Sequence, residues 1–327
     1  MPPTTATAEW ALDLTGVQKI FRGKVHALRG IDMRVGRGEI FGLLGPNGAG
    51  KSTLVKILMT VIRPTKVAGH MLGAPVGQKE TLARVGYLPE HHRFPDYLTG
   101  AQVLDFYGAM CKVERGERKR RAAELLELVG MRDWARTKVR GYSKGMRQRI
   151  GVAQALMNDP DLVLLDEPTD GVDPVGRRDI RMVLQEMKRR GKTVFINSHL
   201  LSELEMVCDR VAIIVQGSVA SQGTIEQLTR GQERYEIEAA LPDSTTLAQT
   251  LGPTAQADLG PRATIGPTGV TLDTADPAAA QPIIDLLRSR AIPIRSVRQV
   301  RPSLEDLFMQ AVTDPSTGKA LKPGAAR

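Results

Sequence analysis

Residues 45–53, GPNGAGKST, decide the fold class of this chain. They match the spacing G-x-x-x-x-G-K-[ST], which is typical of a loop that binds phosphate groups. An apolar run, EIFGLL at 39–44, precedes them, and the apolar residues of KSTLVKILMTVI at 51–62 recur at helical spacing. A strand, a glycine-rich loop and a helix in direct succession predict an α/β fold with a nucleotide site at this turn.

The chemistry of this loop follows from its residue types. Its glycines let backbone N–H groups close around phosphate oxygens at the start of a helix. Lys51 is expected to reach the β and γ phosphates, Ser52 to give its hydroxyl to Mg²⁺, and Thr53 to contact the α or β phosphate. A loop that only caps a helix would not need this lysine and hydroxyl pair. The predicted nucleotide contacts are Gly45, Pro46, Asn47, Gly48, Ala49, Gly50, Lys51, Ser52 and Thr53.

A pair of carboxylates, Asp166 and Glu167, follows the apolar run LVLL at 162–165. This places both acids at the carboxyl end of a predicted buried strand, which is where α/β proteins bind ligands. Alone, such a pair is more often a helix cap or a loop feature. Beside a phosphate loop, Asp166 is expected to hold Mg²⁺ and Glu167 to act as the general base for the attacking water.

Apolar patterning predicts the elements around this core. Two stretches that alternate apolar and polar residues, at 10–17 and 27–35, predict antiparallel strands with a turn at 22–24. Residues 91–160 predict a helical subdomain, because apolar residues recur there at i, i+3 and i+4. Short apolar runs then return and predict further buried parallel strands at 161–166, 193–198 and 210–215.

The composition changes near residue 231, where Pro, Ala, Thr and Gly become more frequent. We therefore predict a first domain over residues 1–230, a small α+β accessory domain over 231–312 and a flexible tail over 313–327. The accessory domain contains no phosphate loop and no carboxylate pair after an apolar strand. It is expected to lie outside the phosphate chemistry, and its role stays open.

The overall composition excludes several classes of protein. With 42% hydrophobic and 25% charged residues, the chain has the make-up of a globular protein. Its two cysteines, Cys111 and Cys208, have no CxxC spacing, so neither a disulfide framework nor a zinc site is predicted. The formal net charge of +9 would suit a nucleotide, a nucleic acid or an anionic membrane and does not choose between them.

The segment YSKGMRQR at 142–149, shortly before LLDEP at 164–168, resembles the signature of the ATPase subunits of ABC transporters. The YSKGM form is similar to that of bacterial exporters, including antibiotic and multidrug efflux ATPases. The resemblance implies a P-loop NTPase core with an antiparallel β-subdomain and a helical subdomain. It also implies that ATP and Mg²⁺ are the cofactors, and that hydrolysis powers export through a separate integral membrane permease.

The resemblance also assigns residues outside the loop and the acid pair. In that family two ATPase subunits form a dimer, so Ser143 and Gly145 would contact the γ phosphate held by the opposite chain. TDGVDP at 169–174 is similar to the loop that crosses the dimer interface. His199 matches the switch histidine, counted here as catalytic, and Phe21 lies where the family stacks an aromatic ring on adenine.

One position departs from the family pattern. The family's glutamine between the core and the helical subdomain falls in GYLPEHHRF, where the residue is Glu90. A glutamine can bind Mg²⁺ through a neutral carbonyl, whereas a glutamate would add negative charge near the γ phosphate unless the metal offsets it. Glu90 is therefore a candidate metal ligand whose role the pattern leaves open.

Two other functions are alternatives to export. ABC-type ATPases of DNA repair or translation would suit the basic stretch ERGERKRR at 114–121, but they carry long heptads or two cassettes, so no specific nucleic acid is expected. An importer subunit is a third possibility, which the YSKGM form disfavours. The expected location is the cytoplasmic side of the cell membrane, as a peripheral protein. The transported substrate and the number of permease subunits cannot be read from the sequence.

Overall fold

The computed structural model describes residues 9–22, 25–230, 233–241, 246–251, 259–260, 262–314, 317, 319 and 321. The chain forms two compact units, Met1–Thr224 with Phe308–Arg327, and Ile225–Leu307. The domain boundaries predicted from composition stay a prediction. Residues 23–24 of the predicted turn and most of the predicted tail lie outside the described residues.

Within its described residues, the first unit contains ten strands and six complete α-helices. In chain order the strands are β1 (Trp10–Phe21), β2 (Val25–Gly36), β3 (Ile40–Leu44), β4 (Lys66–Met71), β5 (Ala74–Pro75), β6 (Val85–Leu88), β7 (Leu162–Asp166), β8 (Thr193–Asn197), β9 (Arg210–Val215) and β10 (Ser218–Gly223). The helices are α1 (Lys51–Leu58), α2 (Gly100–Met110), α3 (Arg115–Leu128), α4 (Lys144–Ala155), α5 (Pro174–Arg189) and α6 (Leu201–Val207).

The strands form two sheets, in agreement with the predicted α/β fold. The central sheet has the order β10-β9-β3-β8-β7-β6, in which β9, β3, β8, β7 and β6 run parallel and β10 pairs antiparallel with β9. Every residue of β3, β7 and β8 is buried, as expected for strands covered on both faces. Phe41 of β3 stacks on Phe195 of β8 at a ring-centroid distance of 5.8 Å.

The second sheet is antiparallel, with the order β2-β1-β4-β5. One cluster of buried side chains joins this sheet, the central sheet and α1, and includes Leu28, Phe41 and Leu54. The sequence analysis missed β4 and β5. In β4 only Met71 is buried, so the strand has little apolar signal, and Gly69 lies against the Asp13 carbonyl, where a side chain would clash.

The predicted helical subdomain consists of α2, α3 and α4. A capping box starts α2: the Thr99 hydroxyl accepts from the Gln102 N–H and the Gln102 side chain accepts from the Thr99 N–H. Helix α4 packs closely on the central sheet. The carbonyl of Ala155, the last residue of α4, lies against Gly86 of β6, where a Cβ would clash with it. The signature segment at the start of α4 is therefore fixed to the same sheet as the phosphate loop.

The second unit is an antiparallel sheet with helices on one face. Its strands are β11 (Arg234–Ala239), β12 (Ala263–Ile265), β13 (Gly269–Leu272) and β14 (Ile294–Val300), in the order β12-β13-β11-β14. Its core includes Ile237, Leu247 and Leu287. Ser303 and Asp306 form a capping box, since each residue's backbone N–H donates to the other's side chain. The further helices in the described residues are α7 (Ile225–Thr229), α8 (Leu247–Leu251), α9 (Gln281–Ser289) and α10 (Leu304–Val312).

Membrane-spanning helices are not found in the described part of the chain, where no helix combines sufficient length with sufficient hydropathy.

Candidate nucleotide-binding site

A cavity of about 410 Å³ lies at the carboxyl ends of β3, β7 and β8. Parallel pairing brings these strand ends to one edge of the sheet, which is where open α/β sheets bind ligands. Most of the predicted site residues, from four distant segments of the chain, meet there. The lining includes Gly45, Pro46, Asn47, Lys51, Ser52, Glu90, Asp166, Glu167, Asp170, Asn197, Ser198, His199 and Leu201.

The loop that follows β3 needs its glycines for two different reasons. Gly45 lies so close to the Ile214 carbonyl that a Cβ would clash with it. Gly50 caps α1 with a φ of 107°, a left-handed conformation, and its Cβ would lie 2.5 Å from the Ala27 carbonyl oxygen. These constraints keep the loop tight around the start of α1, where the first backbone N–H groups have no partner within the helix.

Lys51 begins α1 and is buried inside this loop. Its Nζ donates to the carbonyl oxygens of Gly45 at 2.6 Å and Pro46 at 3.3 Å. Burial lowers the pKa of the Lys51 amine, and the nearby carboxylates act in the opposite direction. The amine is therefore held at the floor of the cavity beside the acid pair, where it can meet the oxygens of a bound phosphate.

Asp166 ends β7 and faces Asn197, the last residue of β8, in the register of the two strands. The Asn197 side-chain N–H donates to Asp166 Oδ1. Burial raises the pKa of Asp166 to about 6, and the charges of Glu90 and Glu167 act in the same direction. The ionised form of Asp166 is therefore energetically unfavourable in the free site, and a cation would stabilise it.

Glu167 has a backbone φ of 52°, which is rare for a residue with a side chain. The turn is held by a hydrogen bond from its N–H to the Asn197 carbonyl at 2.8 Å and by Gln148, whose Nε2 donates to the Glu167 carbonyl at 3.2 Å. The carboxylate lies 2.8 Å from His199 Nδ1 and accepts from the Ser198 hydroxyl at 3.3 Å. The predicted catalytic pair, Glu167 and His199, is therefore in direct contact.

The donor set fits Mg²⁺ bound together with a nucleotide. Within the described ranges, no three His, Cys, Asp or Glu side chains converge to hold a metal by themselves. Mg²⁺ is usually bound through one or two carboxylates and the phosphates of the substrate, which is what Ser52 and Asp166 at this cavity can provide. The Oδ1 atom of Asn197 is also buried beside them without a hydrogen-bond partner in the described part of the protein.

Glu90 lines this cavity and also a neighbouring groove. It follows β6, and its half-exposed side chain lies 3.8 Å from His91 Nε2. Burial raises the pKa values of both Asp166 and Tyr87, and the charge of Glu90 acts in the same direction on both. Glu90 is thus close enough to influence the acid pair, although nothing in its contacts assigns it to a metal.

Several predicted site residues lie away from the cavity. Phe21 ends β1 with an exposed ring that Lys19 Nζ approaches to 4.8 Å. Ser143 caps α4 by accepting from the Met146 N–H, and Gly145 lies near Val172. Neither signature residue lines the cavity of its own chain. Gly48, Ala49, Gly50 and Thr53 belong to the loop and to α1, and they also do not line the cavity.

Sequence reasoning missed Asn197 and Gln148, although both contact the acid pair. The only sequence signal for Asn197 is a polar residue at the end of the apolar run TVFI, directly before the serine and histidine. Gln148 lies inside the signature segment, but its contact with Glu167 depends on how α4 packs on the sheet.

Comparison with protein families agrees with this geometry. Residues 28–170 match the family described as ABC transporter, and residues 223–312 match the family described as ATP-binding protein DrrA1-3-like, C-terminal domain. An uncharacterized ABC transporter ATP-binding protein of Synechocystis is 39% identical over 306 residues, which cover 91% of this chain and 83% of that protein.

A second relative and a solved structure are also similar to this chain. The daunorubicin resistance ATP-binding protein DrrA3 of Streptomyces coeruleorubidus is 32% identical, and the match covers 94% of this chain and 97% of that protein. The structure of cbiO1 from Clostridium perfringens, part of the ABC transporter complex cbiONQ, superimposes with a TM-score of 0.61. It is 27% identical and covers 67% of this chain and 90% of its own length.

The raised pKa of Asp166 predicts a pH-dependent stability difference between the wild-type protein and Asp166→Asn. The folded state holds the proton up to about pH 6, whereas an aspartate in the unfolded chain has a pKa of about 3.8. Wild-type stability should therefore fall as pH rises from about 4 to about 6, by on the order of 3 kcal/mol, and the variant should not show this fall. Urea denaturation in EDTA can measure it, because both tryptophans, Trp10 and Trp134, lie in the first unit.

Asp170→Asn is the control for this experiment. The hydrogen bond from Lys144 lowers the pKa of Asp170. The stability difference between the wild-type protein and Asp170→Asn should therefore change with pH in the opposite direction to the difference between the wild-type protein and Asp166→Asn. A difference between wild type and Asp166→Asn that does not change with pH would contradict the account of Asp166.

Proposed function

The chain belongs to the ATP-binding, ATP-hydrolysing subunits of ABC transporters, and on this premise we propose that it powers the export of a substrate through a separate transmembrane permease. The observation that carries the hydrolytic part is the meeting of Lys51, Asp166 and Glu167 in one cavity. The similarity to a daunorubicin resistance ATP-binding protein over almost all of both chains supports export as the direction. We place the protein on the cytoplasmic side of the cell membrane, as a peripheral subunit.

ATP binds with its triphosphate over residues 45–53, where Lys51 and the N–H groups at the start of α1 neutralise its charge. Glu167 orients the attacking water and accepts its proton as the water oxygen bonds to the γ phosphorus. The bond from that phosphorus to the bridging oxygen breaks, and ADP and inorganic phosphate are the products. His199 contacts Glu167 and holds that carboxylate in place. Ser52 and Asp166 would hold Mg²⁺, which would supply positive charge beside the triphosphate. Phe21 is our candidate for stacking on adenine.

Two copies of the chain form the active unit in this proposal. Ser143 and Gly145 do not line the cavity of their own chain, and Ser143 stands at the N-terminus of the 12-residue helix α4. A helix N-terminus favours bound phosphate, so this end of α4 suits the γ phosphate held by a second copy. ATP would then be enclosed between the two subunits.

The proposed docking surface for the permease is the groove beside Glu90. This groove has a volume of about 590 Å³ and runs between the end of β6 and the start of α4. Behind it, Phe94 packs edge-on against Tyr107 at 5.7 Å. Tyr97 is 71% exposed and Phe106 is 49% exposed, and exposed aromatic side chains are enriched in protein interfaces. Because Glu90 lines both cavities, movement at the groove can reach the nucleotide site.

Glu167→Gln tests the catalytic assignment. The amide keeps the shape of the side chain and loses the base, so ATP binding should persist while hydrolysis slows by about 100-fold or more. The ATP-bound dimer should then accumulate, which light scattering with ATP and Mg²⁺ can detect. Wild-type turnover in this variant would rule out Glu167 as the base.

Lys51→Ala is the matched contrast, because it removes a positive charge from the phosphate site and leaves the base. Its ATP affinity should fall by about tenfold or more, and no ATP-dependent dimer should form. Equal ATP affinity in Lys51→Ala and the wild-type protein would contradict the proposed phosphate contacts.

The docking surface can be tested by crosslinking in intact cells from Tyr97→Cys and Phe106→Cys. The background should carry Cys111→Ser, because Cys111 is an exposed thiol. We expect crosslinks to an integral membrane protein from both positions. The control is Val61→Cys, a 69% exposed position outside residues 90–107, the stretch that carries both test positions. Crosslinks that reach only cytosolic proteins would contradict the assignment.

A further inference from the structure

Asn197 contacts both members of the acid pair, and the proposed mechanism gives it no role. It ends β8 and is only 1% exposed. Its side-chain N–H donates to Asp166 Oδ1, and its backbone carbonyl accepts from the Glu167 N–H at 2.8 Å. One buried residue therefore fixes the direction of one carboxylate through its side chain and the position of the other through its backbone.

The other end of this side chain is without a protein partner. Asn197 Oδ1 is fully buried and accepts no hydrogen bond from any described residue. A buried polar atom left in this state costs about 1–3 kcal/mol, so proteins rarely keep one without a reason. Asn197 also lines the nucleotide cavity, beside Asp166 and Ser198.

Packing alone does not account for an asparagine at this position. The preceding residues of β8, TVFI, are all buried, and an aliphatic side chain would continue that apolar run without an unpaired oxygen. What an asparagine adds is one donor and one acceptor on the same rigid amide. The donor is used on Asp166, which leaves the acceptor for a group that enters the cavity.

Mg²⁺ is a ligand of this kind, because it usually keeps several water molecules that need hydrogen-bond acceptors. Residues that hold a metal ligand in place also contribute to metal affinity, and their loss typically weakens it about 10- to 100-fold. Asn197 can act in both ways at once, through its N–H on Asp166 and through its free Oδ1.

We infer that Asn197 is a positioning residue of the metal site, which orients the Asp166 carboxylate and offers Oδ1 to the hydration shell of Mg²⁺ bound with ATP. The inference rests on the proposed role of Asp166 toward Mg²⁺. It differs from a structural role in one respect. A residue that only completes the sheet would affect nucleotide binding equally with and without metal, whereas a positioning residue affects only the gain in affinity that metal provides.

The experiment measures this metal-dependent gain on the full chain. A fluorescent, non-hydrolysable ATP analogue is titrated into the protein in EDTA and again in Mn²⁺, which stands in for Mg²⁺. For Asn197→Ala we expect EDTA affinity within about twofold of wild type and a loss of about tenfold or more in the gain from Mn²⁺. Asn197→Leu, which keeps the number and branching of the side-chain heavy atoms, should behave in the same way and covers the case in which the alanine variant does not fold.

Asn158→Ala is the matched control, because Asn158 donates its amide N–H to the Ala83 and Val85 carbonyls and does not line the cavity. It should keep the wild-type gain. The inference would be overturned if the folded Asn197 variants gained as much nucleotide affinity from Mn²⁺ as the wild-type protein does. It would also be overturned if they lost affinity equally in EDTA and in Mn²⁺.

Asp166→Asn separates this inference from the proposed function. If Asp166→Asn loses the gain in nucleotide affinity from Mn²⁺ and the Asn197 variants keep it, the proposed role of Asp166 stands and that of Asn197 fails. If the wild-type protein shows no gain from Mn²⁺, both fail together.

Discussion

The parallel pairing of β3, β7 and β8 is the constraint on which the site depends. Asn197 at the end of β8 pairs with Leu43 of β3 on one side and with Asp166 of β7 on the other. The three strands therefore end at the same edge of the sheet. Lys51 follows the first strand, the acid pair closes the second and His199 follows the third. Because the three strands are buried throughout, a shift of one residue would turn buried side chains to the opposite face and separate these groups.

Charge at this edge explains why the site is suited to a nucleotide with a cation. Asp166, Glu167 and Glu90 surround a single buried ammonium group, that of Lys51. Burial and like charges raise the pKa of Asp166, so the free site is electrostatically unfavourable. A triphosphate alone would add further negative charge, whereas a divalent cation bound with it would offset both. Glu90 adds to this effect, because its charge acts in the same direction as burial on the pKa of Asp166.

The sequence predicted the parts of this structure that have a strong local pattern. The loop at 45–53 carries its chemistry in its spacing, and the buried strands show as continuous apolar runs. In contrast, β4 has little apolar signal, and its pairing with β1 depends on residues about fifty positions away. The role of Asn197 could not be predicted, because it depends on which residue of β7 lies opposite it. Likewise, only the packing of α4 shows that Gln148 reaches the carbonyl of Glu167.

A crystal structure of the Glu167→Gln protein grown with ATP and Mg²⁺ tests the central claim most directly. The account predicts a triphosphate over residues 45–53 with Lys51 Nζ on its β and γ oxygens, and a metal ion held by Ser52 and Asp166 beside it. Ser143 of a second copy should lie against the γ phosphate. A triphosphate bound elsewhere, or bound over the loop with Asp166 turned away from its metal ion, would contradict the account.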